Sequence, residues 1–412
     1  MNHMKILSFI LLTLLLGMFS CTPEECVKET EYTEWTPVYL TLDQMKQDIH
    51  MDPPKENKNP GKIYSYGNLL LINELFEGVH IIDNTYPTTP TRLGFIPIAG
   101  NVDIAMSSNV LYADNYANLL SIDLSDPMHP KLKSINEELF KLYGKSADGK
   151  YLVRYDQKKV IKTVPCNNSP LYWLEGDFVY TSVSDSKGKT GSPGSVSGIG
   201  GSFARFTVVD QYLYVVNHNE LLTFEVSNPL RPLKCSTQKI AWDIETIFPY
   251  EDFLFVGSRS GMYIFGLNDP KLPNQLSKFV HSNGCDPVFV SNDIAYITLR
   301  EGNECNGFTN QLDIVEVKDL VHPVKLATHN MKHPHGLSVD GELMVLCEGL
   351  HGFKTIELLP NAQIRELAWI NHHAAYDVII LERSRVLVIG QDGLYQYDMR
   401  NPASPRLLSK LI

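Results

Sequence analysis

A unit of about forty residues recurs along the chain, and this repeat constrains the fold more than any other feature. In the copy NVLYADNYANLLSIDLSDPMHP, from Asn109 to Pro130, an apolar strand is followed by a short polar turn, a second strand ending in Asp123, and a proline-bounded turn. Related copies start at Leu69, Leu213, Leu254, Ala295, Leu343 and Leu387. A single unit leaves apolar surface that only its neighbours can cover, so the repeats must assemble side by side. The 412 residues and 43 % hydrophobic content would also accommodate two or three ordinary domains. The repeat favours one.

Each unit resolves into four short strands. Near Val102 these are VDIAM, VLYAD, LLSIDL and KLKSI, separated by Asn, Asp, Ser and Pro. Short alternating segments without helical periodicity define an all-β class. The expected architecture is a seven-bladed β-propeller of four-stranded antiparallel blades, with six or eight blades as alternatives. Radial closure would protect the sheet edges. One interval breaks the period: Pro130 and Pro232 enclose about sixty extra residues. Within it GKYLVRYDQKKVIKTV, from Gly149, reads as a strand pair that extends the second blade or forms a degenerate eighth, and SDSKGKTGSPGSVSGIGGS reads as a Gly/Ser loop.

The turn after each third strand has a physical reason for its composition. An Asx or Ser side chain bonds nearby amides while proline presets φ. Asp83, Asp123, Glu225, Glu316 and Asp398 therefore recur because the turn recurs, and they are read as structural. The third strands VHIID, LLSID, LLTFE, LDIVE and LYQYD, each heading such a turn, resemble the LVIVD repeat family of predicted β-propeller lipoproteins. The resemblance covers about Pro60 to Ile412 and includes GNVDIA, GCDPV and HPHGL. It implies an exported propeller.

The N-terminus agrees with export. Lys5, an apolar run from Ile6 to Leu16, and Ser20 before Cys21 read as a signal peptide over residues 1–20, too short for a membrane span. Ser20-Cys21 resembles a bacterial lipoprotein box, which makes Cys21 the lipidation site and the bilayer a partner. Thr22 in place of aspartate, with Glu24 and Glu25, resembles outer-membrane lipoproteins displayed at the surface. Residues 21–59 read as the lipidated N-terminus and tether, and residues 60–412 as the propeller with an insertion at about 136–201. In an oxidising compartment Cys285 and Cys305, which flank the first two strands of one unit, are the expected disulfide. Cys347 reads as a small core residue, and Cys26, Cys166 and Cys235 offer no pairing. The formal charge of -11, with no basic stripe, excludes nucleic acid as a partner.

Propellers line their channel with first strands. Counting back from each second strand gives one polar residue per unit: Lys62, Asp103, Arg205, Glu245, Asp286, His335 and Asp377. Such a ring either bonds internally, because buried charges must be paired, or forms a ligand or ion site at the channel mouth. Four carboxylates against Lys62 and Arg205 favour a cation such as calcium. His333, His335, His372 and His373 offer a transition-metal alternative. The expected function is a binding or scaffolding module at the cell surface, with an envelope protein or glycan as partner. Two alternatives stand beside it. One is an exported hydrolase or lyase using Glu245, Asp286, Asp377 and His335 on a glycan. The other is a structural subunit of an envelope complex.

Overall fold

The computed structural model describes residues 27–115, 117–140, 146–165, 199–201, 204–217, 219–241, 244–280, 287–301, 309–382 and 385–411. The chain divides into two compact units. The smaller spans Met1–Pro37 and Tyr155–Phe178. A two-stranded sheet pairs Val27–Leu40 with Tyr151–Pro165, so the segment after Gly149 forms one long strand and neither a strand pair nor a further four-stranded sheet.

The larger unit, Val38–Arg154 with Val179–Ile412, holds every remaining described strand. Sheet 1 contains Pro60–Tyr66, Leu69–Glu74, Gly78–Asp83 and Thr91–Pro97. Sheet 2 contains Ile104–Ser107, Val110–Asp114, Leu119–Asp123 and Lys131–Asn136. Sheet 3 runs through Phe206–Val209, Tyr212–Val216, Glu220–Glu225 and Leu233–Lys239. Sheet 4 runs through Ile244–Tyr250, Phe253–Ser258, Gly261–Gly266 and Asn274–Phe279. Sheet 5 is built from Val288–Ser291, Ile294–Leu299, Gln311–Glu316 and Val324–Asn330. Sheet 6 is built from Leu337–Asp340, Leu343–Cys347, Phe353–Leu359 and Gln363–Ile370. Sheet 7 comprises Asp377–Glu382, Arg385–Gly390, Gly393–Asp398 and Arg406–Leu411. All are antiparallel meanders in chain order, and Ile199–Gly200 adds a fifth strand on the free side of Pro60–Tyr66.

Burial explains why these segments pair. Second strands such as Leu69–Glu74 and third strands such as Gly261–Gly266 are buried on both faces, because each sheet lies between two others. Alternation survives only in outer strands such as Leu233–Lys239. The apolar clusters overlap in sequence: one spans sheets 1 to 3, others join 3 to 4, 4 to 6 and 6 to 7, and Ile63, Leu70, Ile379 and Leu387 join sheet 7 back to sheet 1. First strands touch in order from sheet 1 to sheet 7, and Pro60–Tyr66 of sheet 1 meets the second strand of sheet 7, Arg385–Gly390.

Two local devices hold the ring. In the turn after the third strand, Asp83, Asp123 and Asp398 accept from the amides of Thr85, Ser125 and Arg400 at 2.8, 3.0 and 3.0 Å, as the turn chemistry requires. The carbonyl exposed by that turn then receives a bond from the preceding sheet. Tyr112 Oη donates to Pro229 O, Tyr214 Oη to Pro270 O, Ser277 Oγ to Leu320 O, Thr355 Oγ1 to Pro402 O, and Ser409 Oγ to Pro87 O, at 2.5 to 3.1 Å. The outer edge of sheet 1 is covered by Asp52, which exchanges bonds with Phe95 at 2.8 and 3.1 Å. Gly94 permits this, since a Cβ there would lie 2.6 Å from Asp52 O. The short helix Leu42–Gln47, with a Thr41/Gln44 capping box, buries Met45 against Ala117, Tyr151 and Val153.

Candidate functional site

The residues expected to ring the axis fall into two registers. Lys62, Asp103, Arg205 and Asp377 each stand one residue before equivalent ladder positions, Ile63, Ile104, Phe206 and Val378. Glu245 sits on a bulge between Ile244 and Thr246, and His335 stands two residues before Leu337. A bulge re-aims the side chain it carries. Asp286 lies outside the described residues, as do Cys21, Cys285 and Cys305. Cys347 is a buried free thiol in the core, and Cys235 is also free.

Sheets 1 to 3 meet at Asp103. Its carboxylate pairs with the Lys62 ammonium, both groups being shut off from water, while Oδ1 accepts from Ile104 N at 2.6 Å and Oδ2 from Arg205 N at 2.7 Å. Behind it lies Asp114. Oδ1 of Asp114 accepts from Val102 N, Asp103 N and Asn101 Nδ2 at 2.7, 2.8 and 2.9 Å. Burial nevertheless raises this carboxyl from 3.8 to about 7, against the lowering pull of the Val102 amide, Arg205 and Lys62.

Sheets 4 to 6 carry a cationic counterpart. Arg259 Nε stands 3.6 Å from Glu245 Oε1. Burial pushes the Glu245 carboxyl up, and Arg300, Arg259 and Arg205 pull it back. Arg300 Nη1 lies 3.0 Å from His335 Nδ1, and His335 Nε2 lies 3.1 Å from His333 Nδ1. A guanidinium only donates, so His335 Nδ1 accepts, its Nε2–H donates to His333, and both rings are neutral. Burial, then the charges of Arg300 and His333, hold the His335 pKa well below its usual value. The facing nitrogens of this pair are thus committed to a hydrogen-bond chain.

Asp377 is buried, with Oδ1 accepting from Val378 N at 2.5 Å. His373 stacks on Tyr395 with ring centroids 3.8 Å apart, and its Nε2 meets Tyr397 Oη at 2.7 Å. Among the described residues no group of three His, Cys, Asp or Glu side chains is arranged to hold a metal ion.

The charged groups that sequence reasoning missed stand at the ends of second strands. Glu74 accepts from Lys58 N and Asn59 N and meets His80 Nε2 at 3.0 Å. Glu348 accepts from Lys332 N and His333 N and pairs with Lys354 at 3.2 Å. The same construction thus occurs in sheets 1 and 6: a buried carboxylate, two amides from the lead-in to the first strand, and a side-chain nitrogen from the third strand. Asp114, Arg259 and Arg300 occupy neighbouring positions in sheets 2, 4 and 5. Of the ring and these partners, Arg259 keeps 30 % of its side-chain surface and Glu245 keeps 9 %, whereas Lys62, Asp103 and Asp377 keep at most 1 %.

Three solved structures share this arrangement of strands. A Lactobacillus plantarum protein has a TM-score of 0.55 at 12 % identity, covering 86 % of this chain and 96 % of its own. The periplasmic gluconolactonase PpgL of Pseudomonas aeruginosa has 0.53 at 12 %, covering 86 % and 95 %, and Sqt1 of Saccharomyces cerevisiae has 0.52 at 8 %, covering 89 % of each. At these identities the likeness is one of fold, and PpgL is a β-propeller. No curated protein matches the chain. The LVIVD repeat is matched over residues 100–137 and 200–235, which hold the strands of sheet 2 and most of sheet 3, so the chain carries LVIVD repeats in these two segments.

Proposed function

We propose that the chain is a seven-bladed β-propeller, exported and lipid-anchored through Cys21, that acts as a binding or scaffolding module at the outer-membrane surface. The observation that carries this reading is the cyclic continuity of apolar clusters from sheet 1 through sheet 7 and back, with first strands in contact from sheet 1 to sheet 7. A closed ring of this kind is rigid, and it offers its two loop ends as recognition surfaces. Within the polar ring the ligand-facing part is Arg205, Glu245 and Arg259, because Lys62, Asp103 and Asp377 are sealed from water. A half-buried guanidinium beside a carboxylate supplies donors and acceptors together, which supports a hydroxyl-rich ligand such as a glycan over a bare calcium ion.

The test is a glycan array probed with the full chain and with a Glu245→Gln, Arg259→Gln double variant. Wild-type retention of one glycan class that the double variant loses is the expected result. No glycan retained by the wild type, or equal retention by both, overturns the reading.

A further inference from the structure

The seam between sheets 6 and 7 lies away from the polar ring. A cavity of about 330 Å³ opens there, within the range of pockets that hold a small ligand or a side chain. Register explains its walls. Asp340 pairs with Leu343, Leu343 with Glu357 and Glu357 with Arg365, and directly paired residues share a face of the sheet. Leu343 is thus an apolar floor between Asp340 and Glu357, the Glu357 carboxylate being paired with the Arg365 guanidinium, and Glu342 stands exposed at the hairpin beside them. Leu367 is the extra residue of the bulge between Ile356 and Thr355 partners, which turns it into the cavity.

From sheet 7 the third-strand turn contributes Met399, Arg400 and Pro402. The Arg400 guanidinium is held by both oxygens of Asp398 at 2.6 to 3.1 Å, so the cationic wall already has its anion. Apolar walls with the exposed Glu342 carboxylate at the rim suit an aliphatic stem ending in a positive charge. The adjoining strand, Gln363–Ile370, is the longest of the outer strands and is paired on one side only among the described residues. Such an edge accepts an extended peptide, and a neighbouring pocket then selects its side chains.

We propose that this seam binds an extended peptide segment of a partner protein, with a lysine or arginine side chain seated in the cavity. Titration of the full chain with acetyl-Val-Lys-Val-Lys-Val-amide tests it, with the glutamate analogue and spermidine as comparison probes. Glu342→Lys changes an exposed turn residue, and Glu316→Lys makes the same charge change on the exposed end of a sheet 5 strand. Expected is binding of the lysine peptide alone, weakened about tenfold by Glu342→Lys, by less than about twofold by Glu316→Lys, and abolished by Leu367→Arg. Equal weakening by both lysine variants would reduce the effect to the general attraction of an acidic chain. Binding of the glutamate peptide, absence of binding, or preference for spermidine over the peptide would also overturn the proposal.

Discussion

Asp114 shows how finely a half-buried group is balanced in this ring. Its carboxyl is raised to about 7 from 3.8, so between those values the folded protein holds a proton that the unfolded chain has released. By linkage, stability falls as pH rises through that window and levels off above it. His335 acts in the opposite sense. Its folded pKa lies below the usual 6.5, so its contribution is lost as pH falls beneath that value. Comparing variants separates the two. In Asp114→Asn the side-chain oxygen still accepts the same three N–H groups, all of which bond Oδ1 in the wild type. The variant should match wild type near pH 4 and exceed it above pH 7, by roughly 4 kcal/mol at most, as about three pKa units imply. Urea unfolding at both pH values measures this. A variant less stable than wild type at pH 8 would mean that Lys62, Arg205 and the amides keep the carboxylate ionised.

Among elements, the proline turn is a coupling device as well as a reversal of direction. Five of these turns receive a side-chain bond from the preceding sheet at the same position, whether that residue is proline or Leu320. Thr355→Val, which keeps the side chain's shape, should therefore cost about 1 kcal/mol by removing one net hydrogen bond. Tyr214→Phe should cost a similar amount. Thermal unfolding reads both, and no change in either would show that these contacts merely accompany packing. The turns were legible in the sequence because Asx, Ser and Pro mark them by chemistry. Their inter-sheet bonds were not, since the donors are as different as Tyr112, Ser277 and Thr355 and carry no common signature. The polar ring was legible in part. Counting back from second strands finds Lys62, Asp103, Arg205 and Asp377 in one register, but the bulge at Glu245 and the Pro334 lead-in place Glu245 and His335 out of it. Asp114, Arg259, Arg300 and Glu348 escaped because a charged residue at a strand end looks like the start of any turn. The long strand Tyr151–Pro165 was misread as a pair because its polar centre, Asp156 to Lys159, resembles a hairpin turn.

At the scale of the whole molecule, the question is how a linear array of sheets becomes a closed one. The first and last sheets meet through a reciprocal amide pair, Gln396 Nε2 to Asn84 Oδ1 at 2.7 Å and Asn84 Nδ2 to Gln396 Oε1 at 3.2 Å, both side chains being buried. Ser409 Oγ adds a bond to Pro87 O at 2.7 Å, and the cluster of Ile63, Leu70, Ile379 and Leu387 fills the same seam. An open repeat array unfolds from its ends, because each end sheet has one neighbour. Closure removes the ends, so loosening any seam should be felt by the entire ring. Asn84→Leu and Gln396→Leu each leave a buried amide without its partner, which costs about 1–3 kcal/mol. The double variant places apolar groups on both sides and should cost less than the sum of the singles, a coupling that a double-mutant cycle isolates. All three should unfold in one transition by tyrosine fluorescence and by circular dichroism, with the midpoint shifted as a unit. Additive costs, or an early separate transition confined to sheets 1 and 7, would mean that the seam is a contact between two chain ends and does not close the ring.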